Sequence, residues 1–158
     1  MSSELPHLTA SGEVHMVDVS SKDTTIRQAV AEAVVTLSRE TANRLFGHEL
    51  PKGDALATVR LAGIMGAKRT AELVPLCHPL PIDAVEVEVE QDGVGARIRA
   101  TVTTTGRTGV EMEAMTAVSV AALTLYDMVK GLERGVEIGP IRLLSKSGGR
   151  TGAWEANS

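Results

Sequence analysis

The chain has 158 residues, a formal net charge of −4 and only 2% aromatic residues, which argues against a general nucleic-acid-binding surface. Its single cysteine, Cys77, excludes an internal disulfide framework and suits a reducing compartment. No window approaches 18 uncharged apolar residues, and the first residues lack the basic and apolar regions of a secretory signal. We therefore expect a soluble, cytoplasmic protein with neither nucleic acid nor membrane as a partner.

The length fits one domain, residues 1–158, whose polar ends 1–12 and 150–158 we expect to be flexible. Residues 14–19 (VHMVDV) permit a short strand. The next segment, 25–37, is ambiguous: its alanines favour a helix, whereas its alternation permits a strand with one small-residue face.

Two helices are predicted next, over 38–46 with Ser38 as N-cap and over 55–73 with Asp54 as N-cap. Lys52 lies in the break between them, either solvated or facing an anion at the second helix's amino end. The stretch GIMGAKRT is not a phosphate-binding P-loop, because its glycines are only three residues apart and lie within a helical pattern. We expect Gly63 and Gly66 to mark close helix packing.

Residues 73–82 contain three prolines in seven residues and predict a stiff extended connector. It holds His78 as either a packed or a site histidine. Because Cys77 and His78 are adjacent and no other histidine has ligand spacing, no metal site is expected.

The clearest hairpin joins residues 84–90 to 96–102 through the turn DGVG. Alternation directs its valines to the core and places Glu86, Glu88 and Glu90 on the same face as Arg97 and Arg99. These cross-strand charges are interpreted as structural.

A helix over 110–130 follows, and its polar arc carries small hydroxyl side chains between acids near its two ends. Its alanines would let other backbones approach, which predicts an enclosed helix. Glu113 and Asp127 are roughly 21 Å apart by helix rise. Either only one end of the helix is functional, or two copies of the chain bring opposite ends together. A third alternative is that the charges have no functional role: the acids near the start stabilise the helix dipole, and Asp127 and Lys130 form a surface pair.

The final strand, 136–144, contains Pro140, which confines it to a sheet edge or bulge. The loop SKSGGRTG follows, and its Lys146 either closes over phosphate or belongs to an ordinary tail. With 25–37 as a strand, the order β-(αα)-β-β-α-β predicts an α+β, ferredoxin-like split βαβ fold with an antiparallel sheet and helices on one face. The other face would be covered by a partner or by the amino-terminal arm.

Three stretches, KGDALATVRLAGIMGAKRTAELVPLCHPL (52–80), GRTGVEMEAMTAVSVAALTLYDMVKG (106–131) and LLSKSGG (143–149), closely resemble the MoaC family of molybdenum-cofactor biosynthesis. Residues 12–33 look like the same family, so that the resemblance covers roughly 10–152. The order of KGD, LCHPL, TGVEMEA, YDM and KSGG is highly specific.

The resemblance implies functional residues at matching positions. It implies a catalytic group of Lys52, Asp127 and Lys130, in which the lysines transfer protons and Asp127 holds Lys130. It implies that the substrate is bound by Arg27, Cys77, His78, Glu111, Met112, Glu113 and Lys146.

The resemblance also implies a lyase that converts 3′,8-cyclo-7,8-dihydro-GTP into cyclic pyranopterin monophosphate and releases pyrophosphate. It implies a homohexamer, a trimer of dimers with its sites at subunit interfaces. It also implies that the substrate is supplied by the radical-SAM GTP cyclase of the pathway. No cofactor is required by the sequence, although Mg²⁺ with the triphosphate fits. The alternative is a non-catalytic nucleotide- or pterin-binding regulatory module, because ferredoxin-like domains often only bind.

Overall fold

The computed structural model describes residues 8–93 and 95–157. Its elements follow the order β1 (Thr25–Thr36), α1 (Arg39–Phe46), α2 (Ala55–Lys68), α3 (Thr70–Leu73), β2 (Ile82–Asp92), β3 (Gly95–Gly106), α4 (Glu111–Val129), β4 (Glu137–Ser147) and β5 (Trp154–Glu155). Residues 1–7 of the expected amino-terminal arm, Val94 of the DGVG turn and Ser158 lie outside the described residues.

The five strands form one antiparallel sheet in the order β2-β3-β1-β4-β5. The first four strands have the split βαβ arrangement, so the predicted α+β fold class is confirmed. The ambiguous segment is strand β1, which pairs with β3 on one side and β4 on the other. Pairing on both sides overrides the helix preference of its alanines.

The helices pack on one face of the sheet, where α4 contacts β1, β3 and β4 and α2 contacts β2 and α4. Ala29, Ala31 and Ala33 of β1 point to this face and are buried. A Cβ atom built on Gly63 would lie 3.1 Å from Val87 Cγ2, and one on Gly66 would lie 2.9 Å from Val120 Cβ. The close helix packing expected at these glycines is therefore confirmed.

The opposite face of the sheet carries a buried carboxylate. Glu32 is only 2% exposed and pairs with Arg97 at 3.1 Å and with Arg142 at 2.9 Å. Glu90 lies opposite Arg97 in the hairpin register, as expected, but Arg97 pairs with Asp92 instead, at 2.6 Å. Arg97 thus links the hairpin to the central strand.

Two sequence predictions are wrong in detail. Residues 14–19 form no strand; Val14 makes only an isolated bridge with Leu8, and Asp18 accepts a hydrogen bond from the Ser20 N–H at 2.8 Å, which turns the chain. The helix predicted over 55–73 breaks at Arg69, whose φ of −108° and ψ of 11° are not helical. There the Thr70 hydroxyl donates to backbone carbonyls of the preceding turn and competes with the helical pattern.

Strand β4 lies at the edge of the sheet except where β5 pairs with Ser145 and Lys146. Pro140 falls in the uncovered part, as its missing N–H predicts. The register between β1 and β4 shifts between Val30 and Ala31: Ala31 lies opposite Leu143, whereas Val30 lies opposite Ser145. Leu144 is therefore an extra residue on β4, a β-bulge.

Helix α4 is the one described helix long and apolar enough to cross a membrane by length and composition. Half of that segment is buried inside the protein, against α2 and the sheet. Burial of this kind is typical of a core helix, and core helices can be as long and as apolar as membrane-spanning ones.

The contact at Gly66 gives a stability prediction. Gly66→Val should lower the free energy of unfolding by about 1–3 kcal/mol, because the added side chain overlaps Val120 and forces α2 away from α4. Denaturant unfolding measures the change. The control is Gly135→Val, since a Cβ at Gly135 meets nothing within 4 Å; equal losses in both variants would contradict the packing argument.

Candidate active site

Two cavities lie side by side at the amino end of α4. The first, called here the basic cavity, has a volume of about 430 Å³ and is lined by Lys22, Asp23, Thr25, Arg27, Thr108, Gly109, Glu111, Lys146, Ser147, Gly148, Gly149, Arg150 and Thr151. The second, the histidine cavity, has a volume of about 420 Å³ and is lined by Val17, Val19, Lys22, Val74, Leu76, Cys77, His78, Leu80, Thr108, Gly109, Met112 and Glu113. Lys22, Thr108 and Gly109 belong to both and form a shared wall.

The basic cavity concentrates positive charge. Four cationic side chains, of Lys22, Arg27, Lys146 and Arg150, face two carboxylates, of Asp23 and Glu111, which leaves a formal excess of two positive charges. Lys146 Nζ lies 2.7 Å from Glu111 Oε1, so a ligand anion would compete with this carboxylate. Such a cavity is suited to a polyanion.

Arg27 is fixed by the backbone on two sides. Its Nε donates to the carbonyl of Gly106 at 3.0 Å and its Nη2 to the carbonyl of Arg107 at 3.2 Å. Gly149, with φ of +76°, lies against the guanidinium group so closely that an added Cβ would overlap it. The loop after β4 therefore rests directly on Arg27.

One polar atom of the basic cavity has no protein partner. The Thr25 Oγ1 is buried and makes no hydrogen bond, although the hydroxyl can both donate and accept. Because Thr25 lines the cavity, a bound ligand or water could satisfy this hydroxyl.

The histidine cavity encloses a carboxyl group in a mostly uncharged setting. Glu113 is 4% exposed, and burial raises its pKa to about 7, an effect that Glu111 strengthens and a bond to the Glu113 backbone N–H partly offsets. Burial also raises the pKa of the Cys77 thiol, with a smaller contribution from Glu113. Near neutral pH Glu113 can thus donate as well as accept a proton.

The third group, the lysine cluster of Lys52, Asp127 and Lys130, lies at the carboxyl end of α4. Lys52 Nζ donates to the Asp127 carbonyl at 2.7 Å and lies 3.2 Å from Oδ2, and Lys130 Nζ lies 2.8 Å from Oδ1. Hydrogen bonds from Lys130 and then Lys52 lower the pKa of Asp127, and the same carboxylate raises the pKa of Lys130. The expected contact between Asp127 and Lys130 is present, but a raised pKa keeps Lys130 protonated in the isolated chain.

The sequence-predicted residues therefore fall into separate places. Arg27, Glu111 and Lys146 line the basic cavity, and Cys77, His78, Met112 and Glu113 line the histidine cavity. The lysine cluster is at the other end of an unbroken helix, roughly 21 Å away by helix rise. One chain does not bring all ten residues together.

Sequence reasoning missed several residues that line these cavities. Lys22 precedes β1 in a turn with no diagnostic spacing, and only its position on the shared wall identifies it. Arg150 lies in the basic segment SKSGGRTG, which the sequence predicts to be a loop; the structure places Ser145, Lys146 and Ser147 in β4 and Arg150 in the turn that follows. In the described ranges 8–93 and 95–157, no three His, Cys, Asp or Glu side chains form a metal-binding group.

Comparisons with known proteins point to one family. The model of the MoaC family matches residues 16–149. A cyclic pyranopterin monophosphate synthase of Dinoroseobacter shibae is 55% identical over 156 residues, 98% of this chain and 99% of its own. The chain is also similar to synthases of the same name from two other organisms. The one from Roseiflexus castenholzii is 56% identical and the match covers 95% of this chain and 96% of the relative; the one from Corynebacterium efficiens is 53% identical and the match covers 96% and 98%. The chain belongs to the MoaC family, and the resemblance seen in its motifs is confirmed.

The raised pKa of Glu113 predicts a pH-dependent stability. Its native pKa of about 7 exceeds the ordinary value of 4.5, so between these values the native state binds more protons than the unfolded state. Stability contributed by the protonated form is then lost as the pH rises from about 4.5 to 7, on the order of 2–3 kcal/mol in total. Glu113→Gln should remove this decline.

Thermal unfolding of both proteins from pH 4.5 to 8 measures the effect. Glu72→Gln, at an exposed position of α3, is the control and should keep the wild-type slope. If Glu113→Gln kept that slope too, Glu113 would not be the titrating group.

Proposed function

We propose that the chain is a cyclic pyranopterin monophosphate synthase, a lyase of molybdenum-cofactor biosynthesis that converts 3′,8-cyclo-7,8-dihydro-GTP and releases pyrophosphate. The observation that carries the proposal is a cation-rich cavity that adjoins a mostly uncharged cavity lined by a buried carboxyl group whose pKa is raised to about 7. This pair matches a substrate with a triphosphate at one end and a heterocycle at the other. The names of relatives that span nearly the whole chain support it.

The triphosphate binds in the basic cavity. Lys22, Lys146 and Arg150 contribute charge from side chains that can move, while Arg27 fixes the two loops on which the phosphates rest. Lysines suit this role as compact point charges with three donors. Mg²⁺ can enter as part of the substrate, bound to phosphate oxygens, and no resident cofactor is required.

The heterocycle binds in the histidine cavity. The guanine-derived ring presents neighbouring N–H donors and an acceptor, which a carboxyl group that gains and loses a proton can match. Glu113 lies there with His78, while Met112 and Cys77 supply apolar walls. The ring is thus held with few charged groups around it.

The lysine cluster comes from a second copy of the chain. The outer surfaces of α2 and α4 expose Leu61, Met65 and Leu123, and Leu123 lies one helical turn before Asp127. Exposed apolar side chains of this size are typical of subunit contacts. A homohexamer built as a trimer of dimers would bring this cluster to a neighbour's cavities.

Assembly would also lower the pKa of the lysines in the cluster. In the isolated chain Asp127 raises the pKa of Lys130. Burial at an interface and the neighbour's cations both disfavour the charged form and lower a lysine pKa towards neutrality. One lysine can then accept a proton and the other can donate one.

The chemistry needs such proton transfers. Opening and rebuilding the ring protonates and deprotonates ring nitrogens. In the closing step a sugar-derived hydroxyl attacks the α-phosphorus: a new P–O bond forms, the bond to the β-phosphate breaks, a base takes the hydroxyl proton, and pyrophosphate leaves. Cations on the departing phosphates stabilise the charge that develops there.

Substrate of this kind must come from an enzyme that cyclises GTP by radical chemistry, and the family resemblance points to a radical-SAM GTP cyclase as the pathway partner. Both would work in the cytoplasm. The rival function, a regulatory module that binds a nucleotide or pterin without turnover, would fill the same cavities and release no pyrophosphate.

Turnover separates these functions and tests the lysines. The wild-type protein should release pyrophosphate and form a pterin that becomes fluorescent on oxidation. Lys52→Ala and Lys130→Ala should each lower kcat by roughly 10²-fold or more, because each removes a proton-transfer group.

Arg134→Ala, which removes an exposed cation near Lys130, is the control and should turn over normally. Light scattering checks that all variants keep the same assembly. Binding without pyrophosphate release in the wild type would favour the regulatory module, and normal rates in both lysine variants would end the assignment of the cluster.

The shared site predicts complementation between variants. Lys52→Ala and Lys146→Ala damage opposite ends of α4, so a mixed assembly contains some sites with both ends intact. Co-expression of the two should restore turnover well above either variant alone.

Co-expression of Lys52→Ala with Lys130→Ala is the matched control, because both changes fall in one cluster and no intact cluster can form. If the first pair recovered no more activity than the control pair, the two ends would not act in a common site.

A further inference from the structure

The last described residues return to β4 beside the basic cavity. Strand β5 pairs with β4, Trp154 opposite Lys146 and Glu155 opposite Ser145. The Ala156 N–H then donates to the Leu144 carbonyl at 2.8 Å. We call residues 153–157 the strap.

The strap closes a loop, residues 147–152, that forms one wall of the basic cavity. Residues 146–151 all line that cavity. Within the loop, only one bond links backbone atoms, from the Gly152 N–H to the Gly149 carbonyl at 3.4 Å. The strap therefore holds the far end of a wall that has little structure of its own.

Ordering the 147–152 loop costs more conformational entropy than ordering an average loop, because three of its residues are glycines. Gly148, Gly149 and Gly152 have φ of +91°, +76° and +67°, a region that glycine enters without steric cost. Glycine loses more freedom on ordering than other residues, so an unfastened loop would populate many shapes. In the structure, with the strap paired to β4, Gly149 packs on Arg27.

We propose that the strap positions the 147–152 loop and Lys146 around the substrate's anionic end. The proposal rests on the proposed function in taking that anion to be a triphosphate. The family match ends at residue 149, so family membership alone assigns nothing to the strap. Trp154 and Ala156 act through the backbone and are positioning residues.

This role separates substrate binding from chemistry. Without the strap the loop must be ordered at each binding event, which weakens binding. Once bound substrate has ordered the loop, its cations are in place for the closing step, and the strap does not contact the lysine cluster that a neighbouring copy supplies. KM should therefore rise while kcat stays near its wild-type value.

Two variants test the strap in the full assembly. Ala156→Pro removes the N–H that bonds Leu144, and a chain ending at Gly152 removes the strap entirely. Glu155→Ala is the control, because it keeps the backbone pairing and changes only an exposed side chain.

In Ala156→Pro, trypsin should cut after Arg150 several-fold faster than in the wild type, as mass spectrometry of the fragments will show. In both variants the KM and the Kd for tripolyphosphate, measured by calorimetry, should rise about tenfold, with kcat within about twofold of wild type. Glu155→Ala should match the wild type in every measurement.

Wild-type rates of cleavage after Arg150 in Ala156→Pro would overturn the proposal. So would an unchanged tripolyphosphate Kd in both variants, or a loss confined to kcat. Should the wild type show neither turnover nor tripolyphosphate binding, the proposed function fails. The cleavage rate then still decides whether the strap fastens the loop.

Discussion

The close packing of α4 against α2 and the sheet is the constraint on which the arrangement of functional groups depends. Glycines on α2 and alanines on β1 and α4 bring the backbones together, so α4 runs through the core as one uninterrupted helix. Its two ends are held at a fixed separation. Groups at one end cannot reach those at the other, and any reaction that uses both ends needs more than one copy.

The two cavities at the amino end of α4 differ in how they treat charge. The basic cavity accumulates cations, whereas the histidine cavity disfavours the ionised form of its own glutamate. Lys22, Thr108 and Gly109 line both cavities, so the two adjoin. A molecule with a polyanionic tail and a neutral ring satisfies both environments, and a simple polyphosphate or a simple base satisfies only one.

Much of the fold could be predicted from the sequence because its signals are local. Strict alternation defines the β2–β3 hairpin, and the caps Ser38 and Asp54 bond Thr41 and Ala57 as expected. β1 could not be decided locally, because its alanines serve a helix as well as a strand that faces α4. The break at Arg69 could not be predicted locally either, because a helical pattern does not show that the Thr70 hydroxyl will compete with the backbone.

The candidate site was predictable only as a set of residues. Motifs identified ten of them and helix rise separated Glu113 from Asp127, but the sequence does not show that the residues near the amino end divide between two cavities. Lys22 and Arg150 belong to turns whose neighbours are set by tertiary packing. The spacing of residues along the chain does not indicate which residues such turns will contact. The strap lies within the end that the sequence predicts to be flexible, because two residues of strand are too few to show a period.

The extra residue on β4 has a consequence for where Lys146 points. Along a regular strand, side chains four positions apart share a face, so Lys146 would follow Arg142 onto the surface occupied by Glu32. Because Leu144 has no counterpart on β1, alternation restarts out of phase, and Lys146 instead lies opposite Ala29, on the helical side. If Leu144 instead paired with Val30 in an unbroken register, Lys146 would lie opposite Gln28 and would point through the sheet, away from Glu111.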